Sequence, residues 1–186
     1  LKYPDDYNFA YDVVDEMAKC APNDIAVQWT NVHNERKTFT FSDIATLSNK
    51  AANALRNNGV KKGDKVLVIL KRNYEYWYIV PALHKLGAVV IPATNMLTLD
   101  DITYRIETAN IKFAVSTPDD VTAETLVQAK TVKSQLEKVF VVRRDVEGSS
   151  NLTKQIEKAD ENIASVQTKA TEPILIYVPS GTTAFP

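Results

Sequence analysis

Short apolar runs alternate with helical patterns through most of the chain. The runs lie at residues 66–70, 88–91, 112–115, 138–142 and 174–178. Between them, apolar residues recur at helical spacing in the segments 73–87, from 98 onward, 122–134 and 152–160. Strands and helices that alternate in this way pair in parallel through right-handed crossovers, with helices on both faces of the sheet. The pattern predicts an α/β fold, a doubly wound and mostly parallel sheet flanked by helices.

A helix and a β-hairpin are predicted before the first parallel strand. Residues 8–21 show helical spacing, with Asn8 placed as the cap and an apolar face formed by Phe9, Val13, Met17 and Cys20. Two β-like runs, 25–29 and 37–41, flank a polar connection and indicate a hairpin. Ser42 is predicted to cap the next helix, and Gly59 to end it in the left-handed conformation.

The charge balance narrows the possible partners. The chain has 22 Lys and Arg against 23 Asp and Glu, and its net charge of −1 provides no long-range field that would attract nucleic acid or an anionic membrane. Basic pairs at 61–62, 71–72 and 143–144 are interpreted as solvated loop charges. No apolar stretch approaches the roughly 20 residues that cross a bilayer.

Length and cysteine content bound the organisation and the compartment. A chain of 186 residues is long enough for one domain with one core. Its single cysteine cannot form an internal disulfide, and Asp5 and Asp6 lie where a signal peptide would be basic. These features predict a cytoplasmic protein.

The remaining chemistry-bearing residues favour packing over catalysis. Tyr74, Trp77, Tyr78 and Pro81 fall on one helical face, and core packing is preferred there to a platform for stacking bases. The two histidines, His33 and His84, have no Cys, His or carboxylate at ligand spacing, so no metal site is predicted. No Ser-His-Asp set suggests itself.

The strongest functional signal follows the last apolar run. Ser180, Gly181, Thr182 and Thr183 place three hydroxyls and a flexible backbone after a predicted buried strand. Successive N–H groups can form a nest around a phosphate there, and hydroxyls add further donors. A polar surface turn is the alternative for four such residues. The context favours the phosphate site, because open α/β sheets bind ligands beyond the carboxyl ends of their strands.

The sequence resembles the AMP-forming acyl-CoA synthetases of the adenylate-forming superfamily, from about residue 37 to the end. The resemblance rests on residues 38–44, 57–66, 85–94 and 101–106, the last typical of the medium-chain and acetate-type branch. It rests most of all on residues 177–186, Tyr-Val-Pro-Ser-Gly-Thr-Thr-Ala-Phe-Pro, which are similar to the family's phosphate loop Tyr-x-Thr-Ser-Gly-Thr-Thr-Gly-x-Pro-Lys.

The resemblance implies a ligase with ATP, Mg²⁺ and coenzyme A as its substrates and cofactors. A carboxylic acid would react with ATP to give an acyl adenylate and pyrophosphate, and coenzyme A would then capture the acyl group. Residues 179–184, from Pro179 to Ala184, would bind the β- and γ-phosphates, and Met96 matches a position that contacts coenzyme A. The chain is interpreted as the N-terminal α/β portion of a larger adenylate-forming domain, with no catalytic residue of its own and no activity alone.

Two departures from the family pattern keep other functions open. Pro179 replaces a threonine and lacks a backbone N–H, and Ala184 replaces a glycine. Losing one hydrogen bond to a charged group weakens binding by about 1.5–3 kcal/mol. A non-catalytic member that serves as an interaction module is therefore an alternative. An adenylation domain that serves a carrier protein, or an oxidative ligase related to luciferases, is another. A Rossmann-like nucleotide binder lacks its glycine motif after the first parallel strand.

Overall fold

The computed structural model describes residues 3–178. Its strands are β1 (Ile25–Thr30), β2 (Arg36–Thr40), β3 (Lys65–Ile69), β4 (Val89–Pro92), β5 (Ile111–Ser116), β6 (Lys138–Val141) and β7 (Ser150–Asn151). Its helices are α1 (Glu16–Cys20), α2 (Phe41–Asn57), α3 (Tyr76–Lys85), α4 (Leu99–Ala109), α5 (Thr122–Val132) and α6 (Leu152–Lys158). A π-helical segment, Ala10–Asp15, leads into α1.

The predicted doubly wound architecture is confirmed. Strands β3 to β7 form one parallel sheet in the order β4-β3-β5-β6-β7, and β1 and β2 form the predicted antiparallel hairpin. Within β3, Val66 and Val68 pack with α2, α3 and α6 in one apolar cluster, whereas Leu67 and Ile69 pack with α4 and α5 in another. Because side chains alternate across a strand, both faces of β3 are buried by helices.

The starts of two long helices follow a reciprocal capping pattern. Thr98 Oγ1 accepts the Asp101 N–H at 3.2 Å, and the Asp101 carboxylate accepts the Thr98 N–H at 3.0 Å, which confirms the predicted start of α4. The prediction of Ser42 as the cap of α2 is wrong. Thr40 and Asp43 form the same pair there, because Thr40 is extended and its hydroxyl reaches the Asp43 N–H.

The predicted apolar face of the first helix is only partly correct, because Val13 and Met17 are half-buried. Ala10 and Val14 are the buried residues, whereas Phe9 is 42% exposed and Cys20 is exposed. The segment Ala10–Asp15 is π-helical, with a wider turn than the α-helix, so a spacing of 3.6 residues does not identify its inner face.

The last predicted strand, residues 174–178, is only partly confirmed. The Val90 N–H donates to Ile174 O at 3.0 Å, and the Ile176 N–H donates to Val90 O at 2.9 Å, which makes one parallel bridge between Leu175 and Val90. The segment therefore lies beside β4 at the edge of the described sheet, not at its centre. Ile174 and Tyr177 are exposed, so the prediction of burial on both faces is wrong.

No helix within residues 3–178 combines the length and apolar character that crossing a membrane requires.

Candidate functional site at the carboxyl edge of the sheet

Polar residues gather where the chain leaves the parallel strands. We call this region the carboxyl edge, and it comprises residues 70–75 after β3, 93–96 after β4, 117–120 after β5 and 142–144 after β6. In parallel sheets these ends lie together, and open α/β sheets bind ligands there. The segment 174–178 runs in the same direction beside β4 and brings Tyr177 to this edge.

Two cationic residues of the carboxyl edge adopt left-handed backbone conformations. Lys71 follows β3 with φ 50°, and Arg143 follows β6 with φ 63°. Residues with a Cβ rarely adopt this conformation, and those that do often lie at functional sites.

Asp120 joins three of these loops. Its carboxylate accepts Lys71 Nζ at 3.1 Å and Asn95 Nδ2 at 2.8 Å, and it also accepts the Thr122 N–H at 2.9 Å. Partial burial opposes the ionisation of Asp120, but the hydrogen bonds from Thr122, Lys71 and Asn95 outweigh it and lower the pKa to about 2. Asp120 therefore stays negative at any ordinary pH, opposite Lys71.

Arg143 makes the second connection between loops. Its Nε lies 2.8 Å from Glu75 Oε1, and its guanidinium also donates to Asn73 Oδ1. The Asn73 amide in turn donates to Thr117 Oγ1 at 2.9 Å and to Asp119 Oδ2 at 2.8 Å. Burial raises the pKa of Glu75, and the charge of Arg143 partly counteracts that rise. The loops after β3, β5 and β6 are thus held as one unit.

Aromatic residues attach the hairpin to this unit. The Tyr74 ring packs edge-on against Trp29, with ring centres 5.1 Å apart, and the Lys37 ammonium lies 4.2 Å from the centre of the Tyr74 ring. The prediction of a packed aromatic face is correct for Tyr74, Tyr78 and Pro81, which are buried or half-buried. It is wrong for Trp77, which is 53% exposed.

An open pocket lies between β3, β4 and the segment 174–178. Its volume is about 400 Å³, and its walls are mostly apolar: Val68, Leu70, Lys71, Tyr76, Pro92, Ala93, Thr94 and Tyr177. Lys71 is the charged group in this lining. A second open pocket, about 470 Å³, lies between the hairpin and the same edge and also includes Lys71, together with Asn95 and Asp119.

The residues that the sequence predicted for the phosphate site, Pro179, Ser180, Gly181, Thr182, Thr183 and Ala184, lie outside the described residues. Met96 lies in the loop after β4, 83% exposed, with its N–H donating to Thr94 Oγ1 at 3.3 Å. Within residues 3–178 no group of three or more His, Cys, Asp or Glu is placed to hold a metal ion.

Sequence reasoning missed the residues that organise the site. The interpretation of Lys71 and Arg143 as solvated loop charges is only partly correct, because both residues are exposed but also form ion pairs with carboxylates of other loops. The sequence does show a charged residue after each of two buried strands, which could have indicated a site there. The acidic partners of these residues could not be found in this way, because they are distant in sequence.

The fold and the carboxyl-edge pocket define an α/β protein of the kind that binds a ligand beyond its parallel strands. The sequence profile of the AMP-binding enzyme family matches residues 14–186, and the chain belongs to that family.

Relatives with curated descriptions narrow the comparison. The chain is 33% identical over 189 residues to a mouse protein, Acyl-coenzyme A synthetase ACSM4, mitochondrial, covering 98% of this chain and 32% of the relative. It is 32% identical over 193 residues to a human protein, Acyl-coenzyme A synthetase ACSM3, mitochondrial, covering 100% of this chain and 33% of the relative. The chain thus spans about a third of the curated relatives it matches.

Solved structures share the fold. An acyl-CoA synthetase from Brucella canis superposes with a TM-score of 0.85 at 20% identity, over 98% of this chain and 33% of that one. The anthranilate CoA ligase AuaEII in complex with anthranoyl-AMP superposes with a TM-score of 0.82, also at 20% identity, over 98% of this chain and 34% of that one.

The expectation of a cytoplasmic location is wrong, because the curated relatives are mitochondrial proteins. A single cysteine and a balanced charge are compatible with either compartment, so neither could have separated them.

Proposed function

We propose that this chain is the N-terminal α/β portion of a ligase that activates a carboxylic acid with ATP and transfers the acyl group to coenzyme A. In the first step a carboxylate oxygen attacks the α-phosphorus, and the bond to the pyrophosphate oxygen breaks. In the second step the coenzyme A sulfur attacks the acyl carbon, and AMP leaves with the electrons of the acyl–oxygen bond. The thiol proton is released to the solution.

One observation carries the proposal. The segment 174–176 lies parallel to β4, and Tyr177 lines the pocket at the carboxyl edge. This supports a phosphate site in the residues that follow directly in the sequence. Ser180 to Thr183 would bind the β- and γ-phosphates, flanked by Pro179 and Ala184. Met96, exposed on the loop after β4, would contact coenzyme A. Positioning and charge stabilisation are the main protein contributions to such chemistry.

The test measures the exchange of labelled pyrophosphate into ATP in the presence of medium-chain acids. It compares this chain alone with the full-length ligase of which we propose it is a part, called the parent below. The parent should catalyse exchange and the chain alone should not, because it spans about a third of its relatives. In the parent, Ser180→Ala should weaken ATP binding about tenfold, the effect of one lost charge-assisted hydrogen bond. The exposed Ser134→Ala is the matched control, and it should bind ATP as the unmodified parent does.

Pro179 and Ala184 depart from the family's phosphate-loop pattern, so the test can also show that ATP does not bind. If the parent neither exchanges pyrophosphate nor shows saturable heat with Mg-ATP, the proposed ligase function is wrong. The non-catalytic alternative would then be preferred.

A further inference from the structure

We propose that Asp120 is a positioning residue for the second step, the transfer of the acyl group to coenzyme A. Asp120 holds Lys71 and the loop 94–96 at the mouth of the pocket, so that coenzyme A can reach the acyl adenylate. The inference rests on the proposed function, because that function places coenzyme A against this loop. Asp120 need not touch either substrate to act in this way.

The contacts of Asp120 distinguish it from an ordinary surface carboxylate. Lys71 and Asn95 lie on the loops after β3 and β4, whereas Asp120 lies after β5, 49 and 25 residues away in sequence. The Thr122 N–H and Arg144, which donates to the Asp120 carbonyl at 3.3 Å, fix Asp120 itself. One carboxylate thus sets the relative positions of two loops to which it is not adjacent in the chain.

Lys71 is the partner that faces the pockets. It contributes to the lining of both, and its side chain is one-third exposed. Its backbone is left-handed, with φ 50°, and its ammonium donates to the Asp120 carboxylate at 3.1 Å. Without Asp120 this long side chain would be free to enter either pocket.

Asn95 is the partner that controls the loop after β4. The loop begins where the Ala93 N–H donates to Val68 O at 3.0 Å, which anchors it to β3. Two residues later Asn95 donates to Asp120, and the exposed Met96 follows directly. The Asn95–Asp120 contact is therefore a second anchor of the loop, and its loss would release Thr94 and Met96 together.

Asp145 offers a matched control. Like Asp120, it accepts from one lysine, Lys154 Nζ at 2.5 Å, and from one asparagine, Asn151 Nδ2 at 3.0 Å. All three of these residues lie within ten positions of each other, and none belongs to the lining of the two pockets at the carboxyl edge. Replacing Asp145 removes the same types of contact without affecting the loops after β3 and β4.

The experiment compares both half-reactions in the full-length parent, for Asp120→Ala, Asp120→Asn and Asp145→Ala. Asp120→Ala should raise the KM for coenzyme A about tenfold, which is the equivalent of one lost charge-assisted hydrogen bond. The rate of pyrophosphate exchange should change less than about twofold, because exchange needs no coenzyme A. Asp120→Asn keeps an oxygen acceptor for Asn95 and should show a smaller rise. Asp145→Ala should leave both half-reactions as they are.

The outcomes separate this inference from the proposed function. Suppose that the parent is active and that Asp120→Ala either leaves the KM for coenzyme A unchanged or lowers exchange and thioester formation equally. The positioning role is then wrong, and the proposed ligase function is unaffected. A parent without exchange activity overturns both. If Asp120→Ala fails to fold, the graded effect expected of Asp120→Asn decides in its place, and a KM equal to that of the unmodified parent would contradict the inference.

Discussion

The two ends of the parallel sheet place left-handed backbone conformations in different kinds of residue. At the amino ends of the strands these positions are mostly glycines: Gly59 and Gly63 before β3, Gly87 before β4 and Gly148 before β7, with φ of 99°, 81°, 66° and 79°. The exception is Asn110 before β5, with φ 53°, and asparagine tolerates this conformation better than most residues with a Cβ. At the carboxyl ends they are Lys71 and Arg143. A left-handed conformation costs a residue with a Cβ about 1–2 kcal/mol, and glycine avoids that cost.

The difference indicates what each end does. A glycine turn at the amino end only has to reverse the chain. Lys71 and Arg143 pair with Asp120 and Glu75, so glycine at those two positions would remove the contacts that hold the carboxyl-edge loops together. Strain kept at one end of a sheet and largely avoided at the other is typical of a site whose side chains have a function.

The largest expected effect tests the glycines at the amino ends. A Cβ at position 148 would lie 2.8 Å from Val127 Cγ1, whereas a Cβ at position 63 would meet nothing within 4 Å. Gly148→Ala should therefore lower the free energy of unfolding by about 3 kcal/mol, from backbone strain together with overpacking. Gly63→Ala should lower it by about 1–2 kcal/mol, from backbone strain alone.

Urea unfolding of the two variants and of the unmodified chain gives both numbers. Equal losses would mean that the space around Gly148 adjusts at no cost, and that the turn alone requires glycine.

A second comparison concerns the buried titratable groups at the two ends of α3. Burial raises the pKa of Glu75 at the carboxyl edge, and it lowers the pKa of His84, near the amino end of β4, from 6.5 to about 4. Between these two pH values His84 binds fewer protons in the folded state than in the unfolded state, so its contribution makes the fold less stable as the pH falls from 6.5 to 4. At pH 5 the loss from His84 is about 2 kcal/mol.

Replacing His84 isolates this effect. The difference in unfolding free energy between pH 7 and pH 5 should be about 2 kcal/mol smaller in His84→Leu than in the unmodified chain. His33 is exposed in the hairpin loop, and His33→Gln should retain the full pH dependence. A His84→Leu variant with the same pH dependence as His33→Gln would show that the buried imidazole is not the cause.

Local patterns in the sequence account for most of the fold. The alternation of buried residues in β3 and the Thr98–Asp101 cap are local, so they could be predicted. The carboxyl-edge contacts could not. Lys71 and Asp120 are 49 residues apart, Arg143 and Asn73 are 70 residues apart, and neither pair follows a periodic pattern. A left-handed lysine or arginine also has no local signal of the kind that glycine provides.

The smallest expected effect measures the strain at Lys71 directly. Lys71→Ala and Lys71→Gly both remove the partly exposed ion pair with Asp120, which contributes about 0–1 kcal/mol. They differ in that alanine keeps the cost of the left-handed conformation, whereas glycine removes it and adds conformational entropy to the unfolded chain. Lys71→Gly should therefore be more stable than Lys71→Ala by about 0.5–1 kcal/mol, read from urea midpoints. If alanine were more stable than glycine at this position by about 0.4–1 kcal/mol, the difference expected from the unfolded chain alone, the backbone there would carry no strain. The contrast between the two ends of the sheet would then be one of residue identity alone.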